Sequence, residues 1–167
     1  TDRVAIVMPH APKTATAFIP VAPSAVTAPL NPAYREDEFA FYIEDLKAKA
    51  IVLAADYDGP ALAAAQKLGV QVIRLSTDAS APAGQFTLAS DGAGAAADTA
   101  APGADDVALI LHTSGTTSRP KIVPLLQSNV AASAHNIARS LDLTAEDRCM
   151  NVMPLFHIHG LLAAVSS

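Results

Sequence analysis

The sequence predicts an α/β protein: mostly parallel sheet layers with helices flanking them. Three observations predict it. Apolar strand-length runs alternate with helical patterns from Arg3 to Leu75, the rhythm of a parallel sheet whose crossovers are helices. Those runs are apolar throughout rather than alternating, as expected of strands covered on both faces. The chain is also long enough, at 167 residues and 51% apolar, to bury one substantial core.

The elements follow in order. Arg3 to Met8 reads as a buried strand that Pro9 stops. Lys13 to Val26 carries a helical pattern interrupted by Pro20 and Pro23, and Val26 to Leu30 reads as a short strand before Asn31-Pro32. Arg35 to Lys49 is an amphipathic helix: Phe39, Tyr42, Ile43 and Leu46 recur at helical spacing, with acids early and lysines late, as the helix dipole favours. Ala50 to Ala54 is a strand. Pro60 to Leu68 is a helix opened by proline and closed by Gly69. Val70 to Leu75 is the next strand. Ser76 to Asp105 is poor in large apolar residues and rich in Ala, Gly, Ser, Asp and Pro, which reads as a surface loop or linker with a brief pairing at Thr87-Leu88. Order resumes with strands at Val107 to His112 and Ile122 to Leu125, a helix over Gln127 to Leu141 with Ser128 or Asn129 near its start, a strand at Met150 to Met153, and an apolar element from Gly160 to Ser167. The expected organisation is thus an α/β subdomain over 1–75, a linker over 76–105, and a second α/β portion over 106–167.

Composition excludes some functions. The net charge is -5, and no run of Lys or Arg provides a surface for nucleic acid or an anionic membrane. No apolar stretch reaches transmembrane length. Cys149 is the sole cysteine, so no internal disulfide can form, which fits a reducing, cytoplasmic setting. Its apolar neighbours, Met150, Val152 and Met153, predict a buried structural thiol. Asp105-Asp106 reads as a solvated cap ahead of a strand, and His10, His112 and His135 as structural histidines.

The segment from His112 to Lys121 (HTSGTTSRPK) carries the chemistry. It follows an apolar strand and offers hydroxyls, a glycine and a lysine. Hydroxyl and backbone N–H donors can wrap phosphate oxygens, glycine admits close approach, and lysine adds a point charge. The spacing is not that of a Walker A loop. On composition alone a Ser/Thr-rich turn between strands remains the alternative.

Thr113-Ser114-Gly115-Thr116-Thr117-Ser118-Arg119-Pro120-Lys121 resembles the phosphate-binding signature of the adenylate-forming (AMP-binding) superfamily, with Ser118 and Ile122 in place of the usual glycines. Ala28 to Arg35 with Phe39 to Ile43 resembles the same family's upstream core motif, and Val152 to Gly160 (VMPLFHIHG) its downstream one. Ser118-Arg119 and the Phe156-His157-Ile158-His159-Gly160 run are most similar to the oxalate–CoA ligase branch of the acyl-CoA synthetases. The resemblance implies the large N-terminal domain of an ATP-dependent carboxylate–CoA ligase that forms an acyl-adenylate and then a thioester. It implies that Thr113, Ser114, Gly115, Thr116 and Thr117 hold the β- and γ-phosphates of ATP, that Lys121 orients the loop or the leaving pyrophosphate, that His157 sits beside the reacting carboxylate, and that His159 faces the acyl pocket. It implies CoA as co-substrate and Mg2+ held mostly by residues outside this chain. His157 and His159 have no convergent Cys, Asp or Glu nearby in sequence, so no metal site is expected on them. The adenine contacts, a magnesium-binding glutamate and a mobile C-terminal domain of such enzymes would follow Ser167. The chain is therefore expected to be a fragment that is inactive alone, with the missing remainder packing against its C-terminal end. The alternative is a non-catalytic nucleotide- or phosphate-binding α/β module.

Overall fold

A computed structural model of the chain describes residues 2–9, 15, 17–18, 21–78, 80–82, 84–92, 100–113 and 120–164. Strands β1 (Arg3–Val7), β2 (Val26–Pro29), β3 (Ala50–Ala54), β4 (Gln71–Ser76), β5 (Thr87–Ser90), β6 (Val107–Thr113) and β7 (Lys121–Leu126) form one seven-stranded sheet in the order β5-β4-β3-β1-β2-β6-β7. The five inner strands pair parallel; β5 and β7 close the two edges antiparallel. Helices α1 (Glu36–Leu46), α2 (Pro60–Leu68), α3 (Gln127–Ser140) and α4 (Ile158–Ala164) complete the described elements.

Both faces of β1, β2, β3 and β6 are covered, which is why their sequences do not alternate. In β1, Ala5 and Val7 join a cluster with Phe39, Ile43 and Leu46 of α1 and Ala61, Ala64 and Ala65 of α2. The intervening Val4 and Ile6 pack with Met8, Ala17, Val52 and Leu75 on the opposite face. A third cluster joins Phe18, Leu109 and Leu111 to Leu161 and Leu162 of α4. The fully buried residues of α2 are all alanines, Ala61, Ala64 and Ala65, with Leu62 and Leu68 packed at the margin of the cluster.

The local signals explain the helix ends. The Arg35 backbone N–H donates to the Glu38 carboxylate (2.9 Å) at the start of α1, the reciprocal half of a capping box. That helix ends at Leu46, with Lys47 in the left-handed region (φ 51°), so Lys47 and Lys49 lie past it and its last turn holds no basic residue. The expected helix to Lys49 is three residues too long, because Ala48 and Ala50 are already buried against the sheet. Pro60 and Gly69 (φ 65°) bracket α2 as expected. Asn129 accepts the Leu126 N–H (2.9 Å) at the start of α3, and the Asp106 carboxylate accepts the Gly103 N–H (2.7 Å) in the turn before β6. Ala15, Ala17, Phe18 and Val21 are helical, and Ala22 to Ser24 form a turn; Lys13, Thr14 and Pro20 lie outside the described residues, as does His10.

Two expectations fail. Met150 to Met153 is not a strand: it is irregular, with Met150 86% and Val152 76% exposed. The Asn151 amide takes over the local hydrogen bonding, accepting the Met153 N–H (3.0 Å) and donating to the Gly160 carbonyl (3.3 Å), and such side-chain bonds compete with a strand ladder. Cys149 is exposed, not buried, because the irregular segment it introduces does not reach the core. Among the described residues no helix is long and apolar enough to cross a membrane.

Candidate functional site

The β6–β7 hairpin carries at its end the segment in which the sequence predicts a phosphate loop. β6 runs parallel within the sheet and its carboxyl end pairs with the start of β7: His112 opposes Ile122, and Thr113 opposes Lys121. Carboxyl ends of parallel strands are where open α/β sheets bind ligands, because the loops leaving them converge there. Ser114, Gly115, Thr116 and Thr117 lie outside the described residues. Thr113 and Lys121 are both exposed on the last rung before that loop, so a hydroxyl and an ammonium flank its mouth.

A cavity of about 230 Å³ opens beside this rung. Pro29, Leu30 and Asn31 at the end of β2 form one wall, Tyr34 and Tyr42 a second, His112, Thr113 and Pro120 a third, and Phe156 and His157 the fourth. The aromatic wall is ordered by ring packing. Tyr34 stacks on Tyr42 at 4.8 Å with a 13° interplanar angle, and stands edge-on to Phe39 at 5.7 Å. Burial first, and then the hydrogen bond with Tyr42, holds the Tyr34 phenol well above the usual tyrosine range, so it stays a neutral donor and acceptor.

His112 and Tyr42 meet in a T-shaped contact (4.6 Å, 68°), and the His112 Nε2 meets the Asp45 carboxylate of α1 at 3.1 Å. Its side chain is only 6% exposed. Burial lowers the imidazole pKa from its ordinary 6.5, and Asp45 partly opposes that shift. The uncharged ring therefore donates Nε2–H to Asp45 and keeps Nδ1 as an acceptor.

His157 sits at the entry to α4. Its N–H donates to the Pro154 carbonyl (3.1 Å), and its Nδ1 accepts the His159 N–H (3.3 Å), the role an N-cap oxygen usually fills. An Nδ1 that accepts leaves Nε2 to carry the proton outward. His157 also lines a groove of about 800 Å³ between α3 and α4, together with His159, Ile137, Leu141 and Leu162. His157 thus borders both spaces and His159 only the groove. His135 is exposed on α3. Gly160 is fixed by a close approach: a Cβ there would lie 2.5 Å from the Pro154 carbonyl oxygen.

The structure therefore brings Thr113, Lys121 and His157 to one end of the sheet and adds residues to which the sequence assigned no part in the site: Asn31, Tyr34, Tyr42, Asp45, His112 and Phe156. Asn31 to Tyr42 fall in the upstream motif, and that was the available signal. Asp45 carried none, being one acid among several on a polar helix face. Among the described residues no group of three or more His, Cys, Asp or Glu could hold a metal ion.

Comparison with known proteins agrees with this architecture. Residues 1–166 match the family described as "AMP-binding enzyme". An oxalate–CoA ligase of Arabidopsis thaliana is 40% identical over 99% of this chain and 33% of its own length; one from Saccharomyces cerevisiae is 39% identical over 99% of this chain and 35% of its own. The crystal structure of ATP-bound MatB from Rhodopseudomonas palustris superposes with a TM-score of 0.75 at 31% identity, covering 97% of this chain and 32% of that one. A malonyl-CoA ligase ternary product complex, with methylmalonyl-CoA and AMP bound, superposes at 0.71 with 26% identity over 98% of this chain and 34% of that one. The chain spans about a third of the length of the curated relatives it matches. The family match spans nearly the whole chain and the sheet superposes on that of known ligases: the chain belongs to the AMP-binding enzymes, and its fold is that of the N-terminal region of their carboxylate–CoA ligases.

Proposed function

We propose that this chain is the phosphate-loop portion of an ATP-dependent carboxylate–CoA ligase whose substrate is oxalate or another short acid. A carboxylate oxygen attacks the α-phosphorus of ATP, and the bond to the pyrophosphate oxygen breaks, giving an acyl-adenylate and pyrophosphate. The CoA sulfur then attacks the acyl carbon, AMP leaves, and a thioester forms. Positioning and charge stabilisation carry such chemistry. Thr113 with Ser114, Gly115, Thr116 and Thr117 binds the β- and γ-phosphates, Lys121 follows the departing pyrophosphate, the outward Nε2–H of His157 donates to the reacting carboxylate, and His159 borders the acyl group. Mg2+ is held by residues beyond those described, and CoA enters as co-substrate in the cytoplasm.

In this reading 106–167 is the phosphate-loop portion, 1–75 the α/β layer that supports it, and 76–105 the connection. The exposed Leu141, Met150, Val152 and Ile158 form the surface on which the rest of the ligase packs. The carrying observation is the single rung that sets Thr113 and Lys121 at the mouth of the loop, beside the cavity that His157 closes.

ATP binding by the 167-residue chain tests it, read as amide hydrogen exchange over 111–123. Protection by ATP that Lys121→Ala abolishes is expected; no protection overturns the phosphate-loop role. Carboxylate-dependent ATP–pyrophosphate exchange with oxalate, malonate, coumarate and octanoate is expected to be absent for this stretch alone. Exchange that depends on one acid and on Lys121 would name the substrate and refute the expected inactivity.

A further inference from the structure

We propose that His112, clamped by Asp45 and Tyr42, is a positioning residue that fixes the last rung of the β6–β7 hairpin and so presets the spacing of Thr113 and Lys121. Near the hairpin's end Leu111 and Ile122 pack on apolar clusters, contacts that carry no directional bond. β7 is the sheet's edge strand, so Lys121 has a ladder partner on one side only. The β2–β6 register is confined to Thr27 and Leu109, well below the rung. Thr113 and Lys121 are themselves exposed. Among the described residues of that end, His112 is the one whose side chain hydrogen-bonds another element: it bridges 67 positions of sequence to α1 through the 3.1 Å bond to Asp45, and its side chain is nearly buried.

Its surroundings make the contact geometric rather than merely adhesive. The Tyr42 ring meets the imidazole in a T-shaped contact, and the Tyr34–Tyr42 stack backs that ring. The imidazole can neither rotate about its ring axis nor slide along α1 without losing the Nε2 bond. A carboxylate acceptor makes that bond stronger than one between neutral groups. Because α1 is itself pinned by Phe39, Ile43 and Leu46, the rung inherits the position of a helix seated in the core. Preorganisation of this kind lowers the cost of binding, since the loop ends need not be ordered by the ligand. The groups facing His112 are Asp45 and Tyr42 of α1, Tyr34 before it, and His157 across the cavity. The benefit to triphosphate binding rests on the phosphate-loop reading above; the anchoring of the rung does not.

The experiment compares wild type with Asp45→Ala, His112→Leu and His112→Gln. Glutamine places an amide N–H near the Nε2 position and cannot titrate. Amide exchange over 111–113 and 121–123 is expected to speed up about tenfold in Asp45→Ala and His112→Leu, with β1 and β3 amides unchanged, because losing a bond to a charged group opens the rung locally. His112→Gln restores the protection. The proton-NMR resonance of the Nε2–H, slowed in exchange by Asp45, is expected in wild type and lost in Asp45→Ala. Unchanged rung protection in both disrupting variants, or equal loosening of β1 and β3, overturns the anchor. ATP affinity measured on the same samples separates the two claims. Weaker binding in His112→Leu with rescue in His112→Gln supports preorganisation. A loosened rung with unaltered ATP affinity refutes it. Wild type that does not bind ATP refutes the phosphate-loop reading and the benefit that depends on it, while the exchange data still decide the anchor.

Discussion

Thr27→Val removes one atom's worth of chemistry from the seam that joins the β6–β7 hairpin to the rest of the sheet. Thr27 is fully buried, at 0% exposure, and its Oγ1 donates to the Ala108 carbonyl across β2 and β6 at 3.0 Å. Valine keeps the β-branched shape and its preferred rotamers, so packing changes little and the difference is the hydroxyl. Two terms oppose. Removing a buried hydroxyl lifts its desolvation cost, while losing the bond forfeits a net contribution of about 0.5–1.5 kcal/mol and deprives a buried carbonyl of a partner. Ala108 is 1% exposed, so water does not readily replace the hydroxyl there. We expect a loss of about 1 kcal/mol, rising to about 2 kcal/mol if the carbonyl is left without any donor. For a domain of this length about 1 kcal/mol lowers Tm by roughly 2–4 °C. Urea unfolding at constant pH measures it, as a lower midpoint with an unchanged slope. Thr27→Ser is the companion variant, keeping the bond and losing the methyl. Equal or greater stability of Thr27→Val at unchanged slope would refute the argument that this hydroxyl ties β6 to β2.

Three other outcomes are expected. Gly160→Ala gains about 1 kcal/mol of helix propensity, but its Cβ meets the Pro154 and Met153 carbonyl oxygens at 2.5 and 2.7 Å, backbone atoms that cannot swing aside. Overpacking of about 1–3 kcal/mol makes the change net destabilising, seen as faster amide exchange across α4, and a gain in Tm would contradict it. Phe39→Ala empties a site of 0% exposure between α1 and the sheet and is expected to cost about 3–5 kcal/mol in urea unfolding. The last concerns acid. Burial holds the His112 pKa below 6.5 in the folded chain, so between the folded and unfolded values the unfolded chain binds the extra proton and stability falls as pH falls. Asp45, Tyr42, Tyr34 and His157 are the groups around that ring. Tm is expected to drop on acidification below about pH 6.5, less steeply in His112→Gln, and an identical acid slope in both would remove His112 as its cause.

The fold was largely legible because its inner strands are apolar on both faces and its helices carry explicit punctuation. Ala50 to Ala54 could only be a doubly covered strand, and Pro60 with Gly69 marked both ends of α2. The failures share a cause. Met150 to Met153 has strand-like composition, but composition does not show whether a ladder partner exists, nor that Asn151 would satisfy the local backbone instead. The same blindness hid Cys149, whose exposure depends on where that segment runs.

The candidate site's loop could be singled out in the sequence and its support could not, and the difference is physical. Thr113 and Lys121 stand out because hydroxyls, glycine and lysine in a short run have few structural uses. His112 and Asp45 are individually ordinary, a histidine ending an apolar strand and an acid on a helix. Their meaning comes from a contact across 67 positions, set by the order β1-β2-β6 in the sheet. That order places the end of β6 beyond the end of β2, beside the Tyr34–Tyr42 stack. On the proposed phosphate-loop reading, a loop that wraps a ligand takes the order of its ends from the elements beneath it. In the proposed anchor that order runs from the core, through Phe39 and Ile43, to Asp45 and His112, and ends on the rung that bears Thr113 and Lys121.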